Sequence, residues 1–268
     1  MDFIKENTKM KVIYYGHDLH FLREMREYEV TGDETFRESA ENWRWKEHDL
    51  MKKADHVVML SEEERRIIKK EFDIDIVTMP IFSYDNFPEG RIDTANKRDL
   101  LFVGGFAHRP NEDGLKWFVK EVWPIVEKKL PEVRLNVVGS HPTDAVKAMA
   151  GNKIFVRGFV SDDELAEYYA KSRVCIIPLR YGAGIKGKTI EAMYNRIAVV
   201  STGIGIEGLP GIEKIISPAD TPEEFARQII QKYQDDGALI QAGQQYIEYL
   251  KQNFSREKMS KLFADMLG

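Results

Sequence analysis

The sequence predicts an α/β protein built on a parallel sheet, and three observations predict it. Short strand-like runs alternate with helix-like ones along most of the chain. The runs at 100–103 and 174–179 are apolar without alternation, the pattern of strands covered on both faces. Glycines gather where such runs end, at Gly104-Gly105, Gly158, Gly182 to Gly187 and Gly203 to Gly208. Open α/β sheets bind ligands beyond the carboxyl ends of their strands, so this coincidence marks one edge of the sheet as the place to look for function.

The elements follow in order. A strand is expected at 11–15, then a charged stretch, a helix through 41–53 and a strand at 56–60. Ser61-Glu62-Glu63-Glu64 opens a further helix, because the serine oxygen accepts from N–H groups that the glutamates also favour. A short strand at 74–79 is closed by Pro80, and a polar, turn-rich linker runs over 83–98. Beyond it come a strand at 100–103 and a helix over 111–130 with Leu115, Phe118, Val122 and Val126 on one face. Pro124 predicts a kink or split in that helix. Strands at 134–138 and 153–156 flank a short helix at 145–149. Ser161-Asp162-Asp163-Glu164 opens the helix that ends near 172, the strand at 174–179 enters the glycine loop, and a helix begins near Thr189. A strand at 198–201 completes the alternation.

Charge and composition narrow the function classes. A net charge of −5 lacks the basic footprint of a nucleic-acid binder. No apolar run approaches the ~18 residues of a membrane span. The first residues are polar and then strand-like rather than leader-like, and the single Cys175 has no disulfide partner in the chain, so a cytoplasmic protein is expected. Asp73-Ile74-Asp75 imitates a metal-binding DxD, but it stands in a short strand remote from every glycine loop. Trp43, Trp45, Trp117 and Trp123 read as core or interface packing.

The richest chemistry lies in Gly182-Ala183-Gly184-Ile185-Lys186-Gly187-Lys188-Thr189, between a strand and a helix. Glycines let the backbone approach a phosphate, and a helix N-terminus offers free N–H groups and a positive dipole end. The letters also match the GxxxxGK(S/T) loop of nucleoside triphosphatases. That reading needs an acidic residue closing a later apolar strand to hold magnesium. The run at 198–201 ends in Ser-Thr-Gly and the one at 214–217 in Ser-Pro, and neither supplies it.

A wider set of motifs carries a resemblance. Leu101-Phe102-Val103-Gly104-Gly105-Phe106, Pro110-Asn111-Glu112-Asp113-Gly114, Ile177-Pro178-Leu179, Glu191-Ala192-Met193 and Ala198-Val199-Val200-Ser201-Thr202 occur in this order. Together they resemble the donor-binding domain of a GT-B glycosyltransferase of family 4. Tyr14-Tyr15-Gly16-His17-Asp18-Leu19-His20 and the run 54–61 resemble the later part of that family's acceptor domain. The resemblance implies a GT-B fold, with a Rossmann-like parallel-sheet donor domain and a truncated second Rossmann-like domain. It implies transfer of a sugar from a nucleoside-diphosphate sugar of the UDP or GDP type, usually with retention, with no cofactor and no bound metal. For the site it implies that Glu191 holds the donor ribose, that Lys188 and Lys186 take the diphosphate, and that His17 faces the donor sugar as a catalytic residue with Lys188. Gly104, Gly105, Arg109, Gly184, Gly187 and Thr189 complete the implied donor site. Ala183 stands where the first glutamate of the family's E-x7-E motif is expected, and Gly105, His108 and Arg109 replace its usual cations after the first strand. Lys186 and Lys188 are therefore expected to supply the cationic work.

The expected division is 1–90 as a partial acceptor-side domain, 91–250 as the donor domain, and 251–268 as a helix packing back on the N-terminal part. The expected partners are the nucleotide sugar and a glycan, lipid or small-molecule acceptor, with a peripheral membrane contact among the readings. Several strands should precede His17 in a full acceptor domain, so a missing N-terminal half or another chain is expected to complete it. Three other functions stay open: a nucleotide-sugar-binding module with little activity alone, a P-loop nucleoside triphosphatase, and a nucleotide-sugar epimerase, whose acid and base carboxylates the sequence does not identify.

Overall fold

The computed structural model describes residues 1–267. The first part comprises α1 (Asp2–Asn7), β1 (Ile13–Tyr15), α2 (His20–Thr31), α3 (Glu34–Lys53), β2 (His56–Met59), α4 (Glu62–Phe72) and β3 (Val77–Thr78). Its strands form a parallel sheet in the order β1-β2-β3. The second part runs β4 (Asp99–Val103), α5 (Arg109–Trp117), α6 (Trp123–Lys129), β5 (Leu135–Val138), α7 (Asp144–Lys147) and β6 (Ile154–Gly158). It continues with α8 (Asp162–Lys171), β7 (Ser172–Ile177), α9 (Gly187–Tyr194), β8 (Ala198–Ser201) and α10 (Gly203–Ile206). Three helices close the chain: α11 (Pro222–Gln234), α12 (Asp236–Phe254) and α13 (Arg256–Leu267). Gly268, the last residue of the expected 251–268 segment, lies outside the described residues.

The second sheet is parallel throughout, in the order β6-β5-β4-β7-β8. Period-two alternation splits its side chains between two cores. Leu101, Cys175, Ile177 and Val199 pack on one face; Leu100, Phe102, Val174, Ile176 and Val200 pack on the other. Helices cover both faces, which is why these strands are apolar without a break. From β4 the chain winds outward through β5 and β6, then returns to build β7 and β8 on the other side. The carboxyl ends of β4 and β7 therefore form the topological switch point, where open sheets place their ligands.

Several expectations are corrected. The charged stretch after β1 is helix α2, and α3 starts at Glu34 rather than 41, capped by Asp33, whose side chain accepts from the Thr35 N–H. The inward face of α2 carries Phe21, Glu24 and Glu27; two buried carboxylates hide its amphipathicity from a hydrophobic pattern. The expected helix 111–130 starts at Arg109 and is split, with a π-turn over Phe118–Val122 before α6 restarts with Pro124 in its first turn. A proline ring cannot tolerate a regular turn behind it, and the wider turn relieves the clash. The strand expected at 74–79 shrinks to two residues, and that at 174–179 runs instead from Ser172 to Ile177.

The linker crosses from one sheet to the other and is pinned by the C-terminus. Tyr84 N–H donates to the Phe254 carbonyl (2.9 Å), Arg256 N–H donates to the Tyr84 carbonyl (3.1 Å), and Arg256 pairs with Asp85. The chain thus returns at its end to the junction of the two parts.

Candidate functional site

The loop from β7 to α9 carries the site. Gly182 and Gly184 have φ of 145° and 70°, in the region that side chains avoid. At Gly184 a Cβ would stand 2.7 Å from the His17 carbonyl oxygen and 3.1 Å from the Asp18 Cβ. The end of β1 in the first part therefore rests directly on the glycine loop of the second. The helix begins at Gly187, not Thr189, with Lys186 at its N-cap and no side chain capping it. The first N–H groups of a helix have no intrahelical partner, which is what an anion site uses. This start also moves Glu191 from the first turn into the second.

Lys188 reaches back over the end of β4. Its ammonium donates to the Asn111 side-chain oxygen and lies 5.1 Å from the Phe102 ring centroid. A Cβ on Gly104 would stand 2.7 Å from that Nζ, so glycine is what lets the lysine pass. Asn111 in turn donates from Nδ2 to the Gly105 carbonyl (2.7 Å), binding the first glycine turn to the lysine. Burial pushes Lys188 down to about 7, with the nearby Lys186 adding in the same direction. Its one side-chain hydrogen bond among the described residues goes to a neutral amide.

Lys186 is buried and donates to the Ala183 carbonyl (3.1 Å) and to that of Gly184. Burial lowers it to about 8, partly offset by Glu207, whose carboxylate lies 3.9 Å away. Thr189 is fully buried and donates from Oγ1 to the Gly205 carbonyl (2.6 Å), tying this loop to the one after β8. A P-loop threonine must offer that oxygen to a metal; this one is committed to the backbone. Half-buried Glu191 is held above the usual carboxylate range, first by burial. The Tyr169 hydroxyl stands beside it at the margin of hydrogen-bond geometry and is otherwise without a partner. Among the described residues no three His, Cys, Asp or Glu side chains converge as metal ligands.

His17 is exposed at the end of β1, edge-on to the Tyr15 ring at 5.9 Å, and its backbone abuts Gly184. Contacts join several of the expected residues: His17 abuts Gly184, Lys188 passes over Gly104 to Asn111, which holds Gly105, and Thr189 lies in the first turn of the same helix. Arg109 lies elsewhere. Its Nε donates to Glu27 (2.8 Å) and its Nη2 to Glu24 (3.1 Å), while the guanidinium stacks on Phe36 at 4.9 Å. Tyr181 donates to the same Glu27 at 2.9 Å. Arg109, expected in the donor site, is thus held in a bridge between the two parts, where two buried carboxylates on α2 demand a cation.

Sequence reasoning assigned no role to Asn111, Asp18, Arg26 or Glu207. Asn111 stood inside a quoted motif, and an amide at a helix start after a glycine turn was its signal. Arg26 and Glu207 meet across 181 positions and left no local trace.

A three-stranded and a five-stranded parallel sheet, with the glycine loop at the switch point of the second, make a GT-B type fold, as the similarity to solved structures below also shows. A family model described as "Glycosyl transferases group 1" matches residues 97–235, just over half of the chain, and the chain belongs to that family. It is 29% identical over 201 residues to a 44.6 kDa protein from the cps region of Klebsiella pneumoniae, itself uncharacterized, covering 71% of this chain and 50% of the relative. The chain thus spans about half the length of the curated relative it matches. Among solved structures it is similar to a variant of S. aureus TarM in complex with fondaparinux, alpha-GlcNAc-glycerol and UDP, with a TM-score of 0.73 and 17% identity over 97% of this chain and 52% of TarM. Sucrose-phosphate synthase from Thermosynechococcus elongatus gives 0.73 and 19%, covering 98% and 69%. At such identities these structures speak for the fold alone.

Proposed function

We propose that this protein transfers a sugar from a nucleoside-diphosphate sugar to an acceptor, without a metal ion and with retention. The observation that carries the reading is Lys188: a cation held down by burial, bonded to a neutral amide, at the uncapped start of a helix on the switch point. Such a group gains most from a bound anion, which replaces lost hydration and restores its charge. In this reading Lys188, Lys186 and the N–H groups of Gly187 and Lys188 hold the diphosphate. They stabilise the negative charge that develops as the sugar leaves. Gly104, Gly105 and Gly184 keep the walls close to the ligand, Thr189 fixes the loop, Glu191 accepts from the ribose hydroxyls, and His17 faces the sugar from the opposite wall. Arg109 joins the two walls instead of touching the donor. Because TarM was captured with UDP, UDP leads the ligand panel, with GDP beside it.

The test is calorimetric titration with UDP and GDP in the presence of a chelator, followed by donor turnover with candidate glycan acceptors. Binding without magnesium that is lost in Lys188→Ala supports the reading; binding of ATP or GTP that requires magnesium overturns it. A second reading is a nucleotide-sugar-binding module. It predicts the same binding with no sugar transfer or donor hydrolysis.

A further inference from the structure

The two parts are joined by exchanged charges along α2. Arg109 of the second part reaches Glu24 and Glu27 of the first, and Arg26 of the first reaches into the loops of the second. The second contact touches the site itself. Arg26 donates from Nη1 to the Gly182 carbonyl (2.6 Å) and holds both oxygens of Glu207, at 2.6 and 2.7 Å. Glu207 follows α10 in the loop after β8; Gly182 opens the phosphate loop after β7. One guanidinium, about one-fifth exposed, thus fastens both loops to the first part.

Beside this contact lies Lys186. Its ammonium is 3.9 Å from the Glu207 Oε2, the oxygen that Arg26 Nη1 holds. Two cations compete for one carboxylate, and the bidentate fork of arginine wins the better geometry. Without Arg26, Glu207 would need to move about an ångström to form a direct ion pair with Lys186. That pair would neutralise one of the two lysines offered to the diphosphate, and the Gly182 carbonyl would lose its anchor.

We propose that Arg26 is a positioning residue for donor binding, which sequesters Glu207 from Lys186 and fixes the entry of the phosphate loop from the facing part. The inference rests on the donor-site reading above. It assigns a role across the cleft to a residue that would not touch the donor.

Three variants test it: Arg26→Gln, Arg26→Lys, and Arg26→Gln combined with Glu207→Gln. UDP dissociation constants are measured by calorimetry at low salt, with circular dichroism and melting curves to confirm folding. Arg26→Gln should weaken UDP binding about tenfold or more, and Arg26→Lys, which keeps the charge but not the fork, should fall between it and wild type. The double variant should bind UDP more tightly than Arg26→Gln alone, because the competing carboxylate is gone. A merely structural role predicts no such recovery. A folded Arg26→Gln protein with wild-type affinity, or a double variant no better than the single one, overturns the proposal and leaves the donor site standing. Wild-type protein that binds neither UDP nor GDP removes both together.

Discussion

Raising the pH should weaken UDP binding, and Lys188 should set the slope. In the free protein burial holds this lysine at about 7 and Lys186 at about 8. A diphosphate beside them favours their charged forms, so both values rise on binding. The ligand therefore prefers the protonated protein. Affinity is fullest below the free value and is lost as the pH climbs through it toward the bound value. For Lys188 alone, the protonated fraction drops from roughly nine-tenths to one-tenth between about pH 6 and pH 8, which raises Kd about tenfold. Lys186 adds to the loss at the upper end. The terminal phosphate of UDP works the other way, since its last proton leaves near pH ~6 and makes it a better anion as the pH rises. Calorimetry in buffers of different ionisation enthalpy separates the two, because the lysine must take up a proton on binding. Lys188→Met should bind weakly at every pH with most of the slope gone. A Kd that stays level across this range in wild type, or a slope that survives undiminished in Lys188→Met, would refute the assignment.

Other outcomes follow from the same geometry. Glu191→Gln should weaken UDP about ten- to a hundred-fold by removing a charged acceptor from the ribose, but leave binding of inorganic diphosphate unchanged; equal losses for both ligands would argue against a ribose contact. Gly184→Ala should cost about 1–3 kcal/mol in urea unfolding, because alanine is strained at φ 70° and its Cβ would stand 2.7 Å from the His17 carbonyl oxygen. An unchanged midpoint would refute both the strained turn and the contact with His17. Arg109→Ala should destabilise by about 2–3 kcal/mol, since it leaves the carboxylates of Glu24 and Glu27 buried and short of a cation. It should spare UDP affinity in the folded protein. A weakened UDP affinity with unchanged stability would instead return Arg109 to the donor site.

Much of the second sheet was legible because its signals are local. The apolar run Leu100 to Val103 is short and closed by Gly104-Gly105, which marks a buried strand rather than a helix, and glycines at strand ends announce tight turns. Pro124 announced the break between α5 and α6 for the same reason: its ring geometry is fixed by the residue itself. In the first part such signals failed. Glu24 and Glu27 made α2 look like a solvated charged stretch, although both are buried. The start of α9 differs from the expected Thr189 because Gly187 is a poor helix former and no capping side chain marks the boundary. The helix extends to Gly187 because Thr189 is anchored on Gly205 and Lys188 on Asn111.

The sequence by itself determined the alternation of strands and helices, the sheet edge on which the glycines collect, and the presence of two lysines in the loop between a strand and a helix. These depend on backbone sterics and hydrophobic period, which neighbouring residues impose on one another. Only the tertiary structure decided that Arg109 reaches the carboxylates of α2, that Asn111 meets Lys188, and that Arg26 pairs with Glu207. Each of these joins groups far apart in the chain, and burial settles each choice: a charge removed from water must take whatever partner the fold brings within reach.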